Sequence, residues 1–312
     1  TPRSVPSRAR PSARESTVSE RAALRALLAR RGLAAHRDRG QNFLVDPAIA
    51  DRIVDAAGLA PGDAVIEIGP GLGILTRALA ARAARVVAIE IDAGLVRLLA
   101  EEGGLPGHVE LLHADALAVD LAALAARLGP AVRVVANLPY SVSAPILRRL
   151  LDLRGALRSW LVLVQREMAL RLVAGPGDPD YGSLAVLHAL CVRLERVRDL
   201  PAACFHPVPK VTSTLVRATP LEAGPLAPGP VGPGAADELA EVERLLRAAF
   251  GTRRKTLVNA LRTGLAPPPS PEELHAALDR LGIDPRVRAE GLAPEVFLGL
   301  ARALRGSDAP QQ

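Results

Sequence analysis

The residues of this chain best suited to chemistry are a run of glycines and three polar side chains spaced along its first half. Gly69, Gly71 and Gly73 stand at GxGxG spacing directly after the apolar run Ala64 to Ile68. A chain leaving a strand there must turn sharply and can let a ligand approach its backbone. Ile74 follows, so the third glycine of the dinucleotide fingerprint GxGxxG is missing, and with it a seat for a pyrophosphate. The loop therefore points to a nucleoside without phosphates. Glu90 lies 21 residues beyond Gly69 at the end of the next apolar run, where a carboxylate can accept hydrogen bonds from both hydroxyls of a ribose. Asp115 and Asn137 follow the third and fourth such runs. Singly, an acid after a strand is more often a turn or cap residue. As a set in register, these residues would line the crevice where open α/β sheets bind ligands.

The second constellation is Asn137-Leu138-Pro139-Tyr140. The Asn amide oxygen and a neighbouring backbone carbonyl can accept both hydrogens of an exocyclic amine on a base, drawing its nitrogen towards tetrahedral geometry with the lone pair facing a methyl donor. Proline stiffens the loop, and Tyr140 can stack on the base, a contact worth about 1–3 kcal/mol. Only seven residues are aromatic, yet Phe43, Tyr140 and Phe205 all fall in polar loops containing Pro or Gly, where a core role would be odd; core filling is the competing reading for each, evenly weighed at Phe43 and weaker at Tyr140. No nucleophile or acid–base pair is needed if the donor is a sulfonium, because positioning and electrostatics suffice.

Alternating elements must hold these residues. Strands are expected at Ala64 to Ile68, Arg85 to Glu90, Val109 to His113 and Val132 to Ala136, separated by helices at Ile74 to Ala81, Ala93 to Glu101 and Leu121 to Leu128. This is an α/β pattern with a parallel, doubly wound sheet. Later strands at Trp160 to Gln165 and Ser213 to Ala218 are expected to form an antiparallel hairpin at the sheet edge. Asp46 with Pro47 caps an earlier helix ending near Gly58. The Pro- and Gly-rich stretch Thr219 to Ala236 excludes helix and strand interiors and reads as a linker. Beyond it, Asp237 to Phe250, Thr256 to Arg262, Glu272 to Leu281 and Pro294 to Leu304 have helical spacing, with a capping box at Ser270 and Glu273. The expected organisation is a basic arm (1–39) with a short helix over Ser19 to Leu33, an α/β domain (40–220), a linker (221–236) and a small helical domain (237–312).

A net charge of +6 suits a polyanionic partner, nucleic acid or an anionic surface. Almost all of it is arginine, so Lys210, beside the Phe205 loop, and Lys255, in the run Arg253-Arg254-Lys255, stand out. With Arg247 they offer phosphate contacts. The first 39 residues hold ten Arg against three acids, which reads as a basic arm, with a transit peptide as the competing reading. Cys191 and Cys204 are too far apart for a CxxC pair, and no His or Cys stands at metal spacing from either, so no metal is expected. Apolar runs fall short of the ~20 residues a membrane span needs, so no membrane partner is expected.

Five segments bring a known family into view: Gly40-Gln41-Asn42-Phe43-Leu44, Glu67 to Gly73, Asn137 to Tyr140, Phe205 to Val211, and Phe250 to Leu257. On these, the chain resembles the bacterial small-subunit rRNA adenine N6,N6-dimethyltransferases, the enzymes whose loss gives kasugamycin resistance, from about Leu24 to Leu304. The resemblance implies a Rossmann-like class I methyltransferase sheet. It implies S-adenosylmethionine contacts from Asn42, Leu44, Gly69, Gly71, Glu90, Asp115 and Asn137. A flipped adenine would be held by Asn137, Leu138, Pro139, Tyr140 and Phe205, and RNA by Lys210, Arg247, Arg253, Arg254 and Lys255. The implied substrate is a pair of adjacent adenines in the 3′-terminal hairpin loop of 16S rRNA, in the immature small subunit, methylated in the cytoplasm by a monomer. Thr212 departs from the family's usual Asp, and the arm and linker are long. The nearest rival is the macrolide-resistance enzyme that dimethylates 23S rRNA. A non-catalytic RNA-binding assembly or transcription factor on the same scaffold and an NAD dehydrogenase are more distant readings. DNA adenine methyltransferases usually show Pro where this chain has Leu138.

Overall fold

The computed structural model describes residues 26, 28, 30, 31, 40–101, 104–223, 226, 233–252 and 254–305. Arg253 and nearly all of the expected Ser19 to Leu33 helix lie outside them, as does the rest of the basic arm.

In chain order the elements are β1 (Phe43–Leu44), α1 (Pro47–Ala57), β2 (Ala64–Ile68), α2 (Ile74–Ala80), β3 (Arg85–Glu90), α3 (Ala93–Glu101), β4 (Val109–His113), α4 (Leu121–Leu128), β5 (Val132–Asn137), α5 (Ser143–Asp152), β6 (Leu157–Gln165), α6 (Arg166–Val173), α7 (Ser183–Ala189), β7 (Val192–Leu200), β8 (Phe205–His206) and β9 (Ser213–Pro220). Four further α-helices follow: α8 (Pro233–Phe250), α9 (Leu257–Gly264), α10 (Pro271–Arg280) and α11 (Pro294–Arg305). Local chemistry accounts for most boundaries. Asp46 accepts from the Ala48 N–H at 2.9 Å to start α1, and left-handed Gly58 ends it. Ser270 and Glu273 form the reciprocal capping box that opens α10.

The seven-stranded sheet has the order β4-β3-β2-β5-β6-β9-β7. Its first five strands are parallel, and β9 runs antiparallel to both β6 and β7. Strand order reverses between β2 and β5, which makes that gap the topological switch point. Ala64, Ile66 and Ile68 of β2 face a core that continues without a break into the C-terminal helices through Leu239, Leu246 and Leu257. Val65 faces the opposite layer, built on α1 and α2. Period two puts Glu67 on Val65's side.

Three expectations are corrected. β6 and β9 pair antiparallel but are neither a hairpin nor the edge, because β7 lies outside β9. Its charged residues and the register shift between Arg196 and Arg198 hide the strand period. Helix α8 begins at Pro233, inside the expected linker, because a proline at the first helical position has the φ the helix needs. Within that linker Leu226 is buried, and its carbonyl accepts from Arg154 Nε at 3.0 Å.

Candidate active site

A cavity of about 500 Å³ opens at the C-terminal ends of β2, β3, β4 and β5. Asn42, Leu44, Gly69, Gly71, Glu90, Asp115, Asn137, Leu138, Pro139 and Tyr140 all line it. They reach it from the ends of β2, β3, β4 and β5 and from the β1 segment, so tertiary structure brings them together.

The glycine loop is held from two sides. The Gly69 N–H donates to the Ile89 carbonyl at 2.9 Å, tying the loop to β3. At Gly71 φ is 56°, and a Cβ would stand 2.9 Å from the Phe43 ring. Only glycine meets both conditions. Glu90, buried at the end of β3, accepts from the Gly71 N–H at 3.2 Å and the Asp92 N–H at 2.9 Å. Burial raises its pKa, and these N–H donors oppose the rise. The Asp115 carboxylate accepts from the Leu117 N–H at 2.8 Å and is exposed to the cavity mouth. Its loop is clamped by Arg149 of α5, which donates to the Ala116 carbonyl at 2.8 Å and the Val119 carbonyl at 2.7 Å.

Asn137 is oriented by the segment before β1. Its amide nitrogen donates to the Asn42 carbonyl at 2.9 Å, and Asn42 donates to the Gly40 carbonyl at 3.1 Å. With the nitrogen engaged, the amide oxygen is the atom left to accept from a ligand. Gly40, at φ 66°, packs so closely that a Cβ would lie 3.0 Å from the Tyr140 backbone nitrogen. The Tyr140 hydroxyl shares a 2.8 Å hydrogen bond with Ser213 at the start of β9, which fixes the ring direction. Burial raises the Tyr140 pKa and the Ser213 contact lowers it, with a net rise, so the phenol stays neutral.

Among the described residues, the cavity lining holds three carboxylates, Glu67, Glu90 and Asp115, and no Lys, Arg or His. A pyrophosphate would meet only like charge there, whereas a cationic nucleoside would not. Among the described residues no His, Cys, Asp and Glu group has metal-holding geometry, and no helix is long and apolar enough to cross a membrane.

Some expected site residues are elsewhere. Phe205 is 0% exposed and does not line the cavity; it pairs with Leu44 in the antiparallel β1–β8 ladder, inside the α1/α2 core. Phe43 is in the same ladder and buried, though it does line the cavity. These two segments are strands, not loops, so the argument from sparse aromatics holds only for Tyr140. Lys210, Arg247, Arg254 and Lys255 are exposed and outside the cavity. Arg254 and Lys255 occupy the turn before α9, not a helix, because Thr256 caps α9 after them. Sequence reasoning missed Glu67 and Arg149. Glu67 left a signal as the one charged residue in a strand buried throughout, whereas Arg149 left none, its partners lying about thirty residues away.

With this geometry in place, the comparisons decide the family. The family described as "Ribosomal RNA adenine dimethylase" matches residues 32–305. The chain belongs to the ribosomal RNA adenine dimethylase family. Relatives named "Ribosomal RNA small subunit methyltransferase A" include one from Magnetococcus marinus, 40% identical over 92% of this chain and 98% of the relative. Another, from Myxococcus xanthus, is 42% identical over 90% and 94%. Among solved structures, a dimethyladenosine transferase from Plasmodium falciparum superposes with a TM-score of 0.65 at 26% identity, covering 81% of this chain and 94% of that one. The 23S rRNA methyltransferase ErmE superposes at 0.58 with 28% identity, over 85% and 100%. The dimethylase sheet thus carries its cavity at the switch point between β2 and β5.

Proposed function

We propose that this dimethylase transfers methyl groups from S-adenosylmethionine to N6 of two adjacent adenosines in the 3′-terminal hairpin loop of 16S rRNA, giving N6,N6-dimethyladenosine during small-subunit biogenesis. The observation that carries the reading is the cavity at the switch point, whose described charged residues are all acids, with the Asn137 amide oxygen left to face it. The relatives named for the small subunit support this substrate over 23S rRNA.

Glu90 would hold the ribose hydroxyls, Asp115 the base of the cofactor, and Asn42, Leu44, Gly69 and Gly71 its walls. The chemistry the cofactor supplies when bound is a methyl group on positively charged sulfur, which a neutral amine can accept without a catalytic acid or base. The rest falls to positioning by the chain. The Asn137 oxygen accepts one N6–H and a backbone carbonyl of the same loop the other, aiming the nitrogen lone pair at the methyl. Tyr140 stacks on the flipped base, its ring steadied by Ser213. Phe205, sealed in the core, supports β1 and so Asn42. Lys210, Arg247, Arg253, Arg254 and Lys255 would meet RNA phosphates, the last four from the helical region 237–312. The enzyme works as a monomer in the cytoplasm on the immature subunit.

The test is methyl transfer to small subunits lacking the modification, read by the mass of the RNA fragment, beside large-subunit RNA. Small subunits should become dimethylated and large-subunit RNA should not. Tyr140→Ala should keep cofactor affinity while losing about 10- to 100-fold in methylation. Full activity in that variant would refute the stacking role.

A further inference from the structure

Glu67 is the fourth residue of a five-residue strand whose every member is buried, and it is 1% exposed. It belongs to the cavity lining, yet neither carboxylate oxygen has a hydrogen-bond partner. The Thr76 hydroxyl of α2, the donor nearest to hand, likewise makes no hydrogen bond of ordinary geometry. Native proteins rarely leave a buried polar group unpaired, and such an exception asks for a reason.

Among the described residues, the surroundings supply no cation. From β3 comes Glu90, from the loop after β4 Asp115, and from the loop after β5 the neutral phenol of Tyr140. On α2 the packed neighbours are Leu75 and Leu79, while Arg77 turns its guanidinium to the Leu72 carbonyl at 3.0 Å. On α1 Asp51, Arg52 and Asp55 face solvent. On β5 Arg133 is engaged with Asp63. An ion so enclosed takes a proton instead of staying charged. Burial, opposed by Thr76 and reinforced by the Glu90 carboxylate, pushes the Glu67 carboxyl up to about 8.

We propose that Glu67 is a proton-linked counter-charge for the methyl donor: a neutral acid in the empty cavity, it ionises and releases its proton to solvent when a cationic nucleoside enters. This rests on the reading that the cavity takes S-adenosylmethionine. No bond other than the carboxyl O–H breaks. The arriving positive charge replaces the proton as the partner of the buried carboxylate, so a cavity whose described lining has no basic residue can accept a cation yet need not hold an unpaired anion when empty. Binding must then weaken as pH falls, because the proton competes with the donor.

The experiment is calorimetric titration of S-adenosylmethionine into the wild-type protein and Glu67→Gln, each in buffers of different ionisation enthalpy. Comparing the two proteins cancels titration of the donor's own amine. Near pH 7 the wild type should release close to one proton more than the variant. The wild-type advantage in affinity should grow about tenfold per pH unit up to about pH 7.5 and level off above about pH 8. Should Glu67→Gln not fold, infrared difference spectra of wild-type protein with isotope-labelled glutamate should show a protonated carboxyl band that disappears on binding. Equal proton release by both proteins, or a carboxyl band unchanged by binding, overturns the inference and leaves the donor site standing. Failure of S-adenosylmethionine to bind at any pH overturns both.

Discussion

Two buried carboxylates at opposite ends of one strand have opposite fates. Asp63, just before β2, accepts from the Ala60 N–H at 3.0 Å and from Arg133 Nε at 2.6 Å, with Arg158 at 3.5 Å. Burial pushes its carboxyl up, but these partners outweigh it and hold the pKa below the usual value. Glu67, four residues on, is as inaccessible to solvent but deeper in the fold; it has no hydrogen bond of ordinary geometry and is pushed up to about 8. The N-terminal end of the sheet is satisfied within the protein, and the C-terminal end is left for a ligand to complete. Solvent accessibility alone therefore does not tell a satisfied acid from an unsatisfied one; depth and partners together do.

That contrast breaks most visibly at Glu90. Glu90→Ala should weaken S-adenosylmethionine binding by at least about 100-fold in calorimetry, since two ribose hydrogen bonds to a charged acceptor are lost. Unchanged affinity would remove the ligand end from the comparison. At the other end, Asp63→Ala strands the Arg133 guanidinium and should cost about 3 kcal/mol, lowering Tm by roughly 5 °C, with donor affinity of the folded protein unchanged. Because the Asp63 pKa is lowered by folding, its contribution is present above about pH 4 and lost as pH falls through the folded value. Thermal melts against pH should show that acid limb in the wild type and not in the variant.

Comparison with Glu67→Gln should reveal the opposite limb in the empty wild-type protein. Its folded pKa is raised from 4.5 to about 8, so the stability linked to the bound proton is full below the lower value and lost as pH rises through the higher. The variant's Tm relative to wild type should therefore climb by several degrees between about pH 5 and pH 8.5. A difference that stays constant with pH would mean that Glu67 is charged in the empty fold. The smallest effect is expected at Arg149→Met, which frees the Asp115 loop while α5 stays folded. Donor affinity should drop about 3- to 10-fold, with faster amide exchange at Ala118 and Val119. Unaltered exchange there would show that the loop stands without its clamp.

Much of this was legible beforehand for a local reason. The strands β2, β3 and β4 and helices α3 and α4 have the expected bounds because apolar periodicity and punctuating Gly, Pro and Asp residues act over a few neighbours. Edge strand β7 was hidden because five charged residues and a bulge interrupt its period. Phe205 was misread because its loop-like Pro-rich flank masks a two-residue strand pairing with Leu44, about 160 residues earlier.

The sequence by itself determined the element order, the glycine turn and the polar residues at the strand ends, since each depends on chemistry within a few residues. The tertiary structure alone decided which acids find partners. Asp63 is satisfied from β5 and Glu67 is not, and that depends on what the sheet brings alongside each of them. Whether a buried charge is neutralised is a matter of distance in space, about which spacing along the chain carries no information.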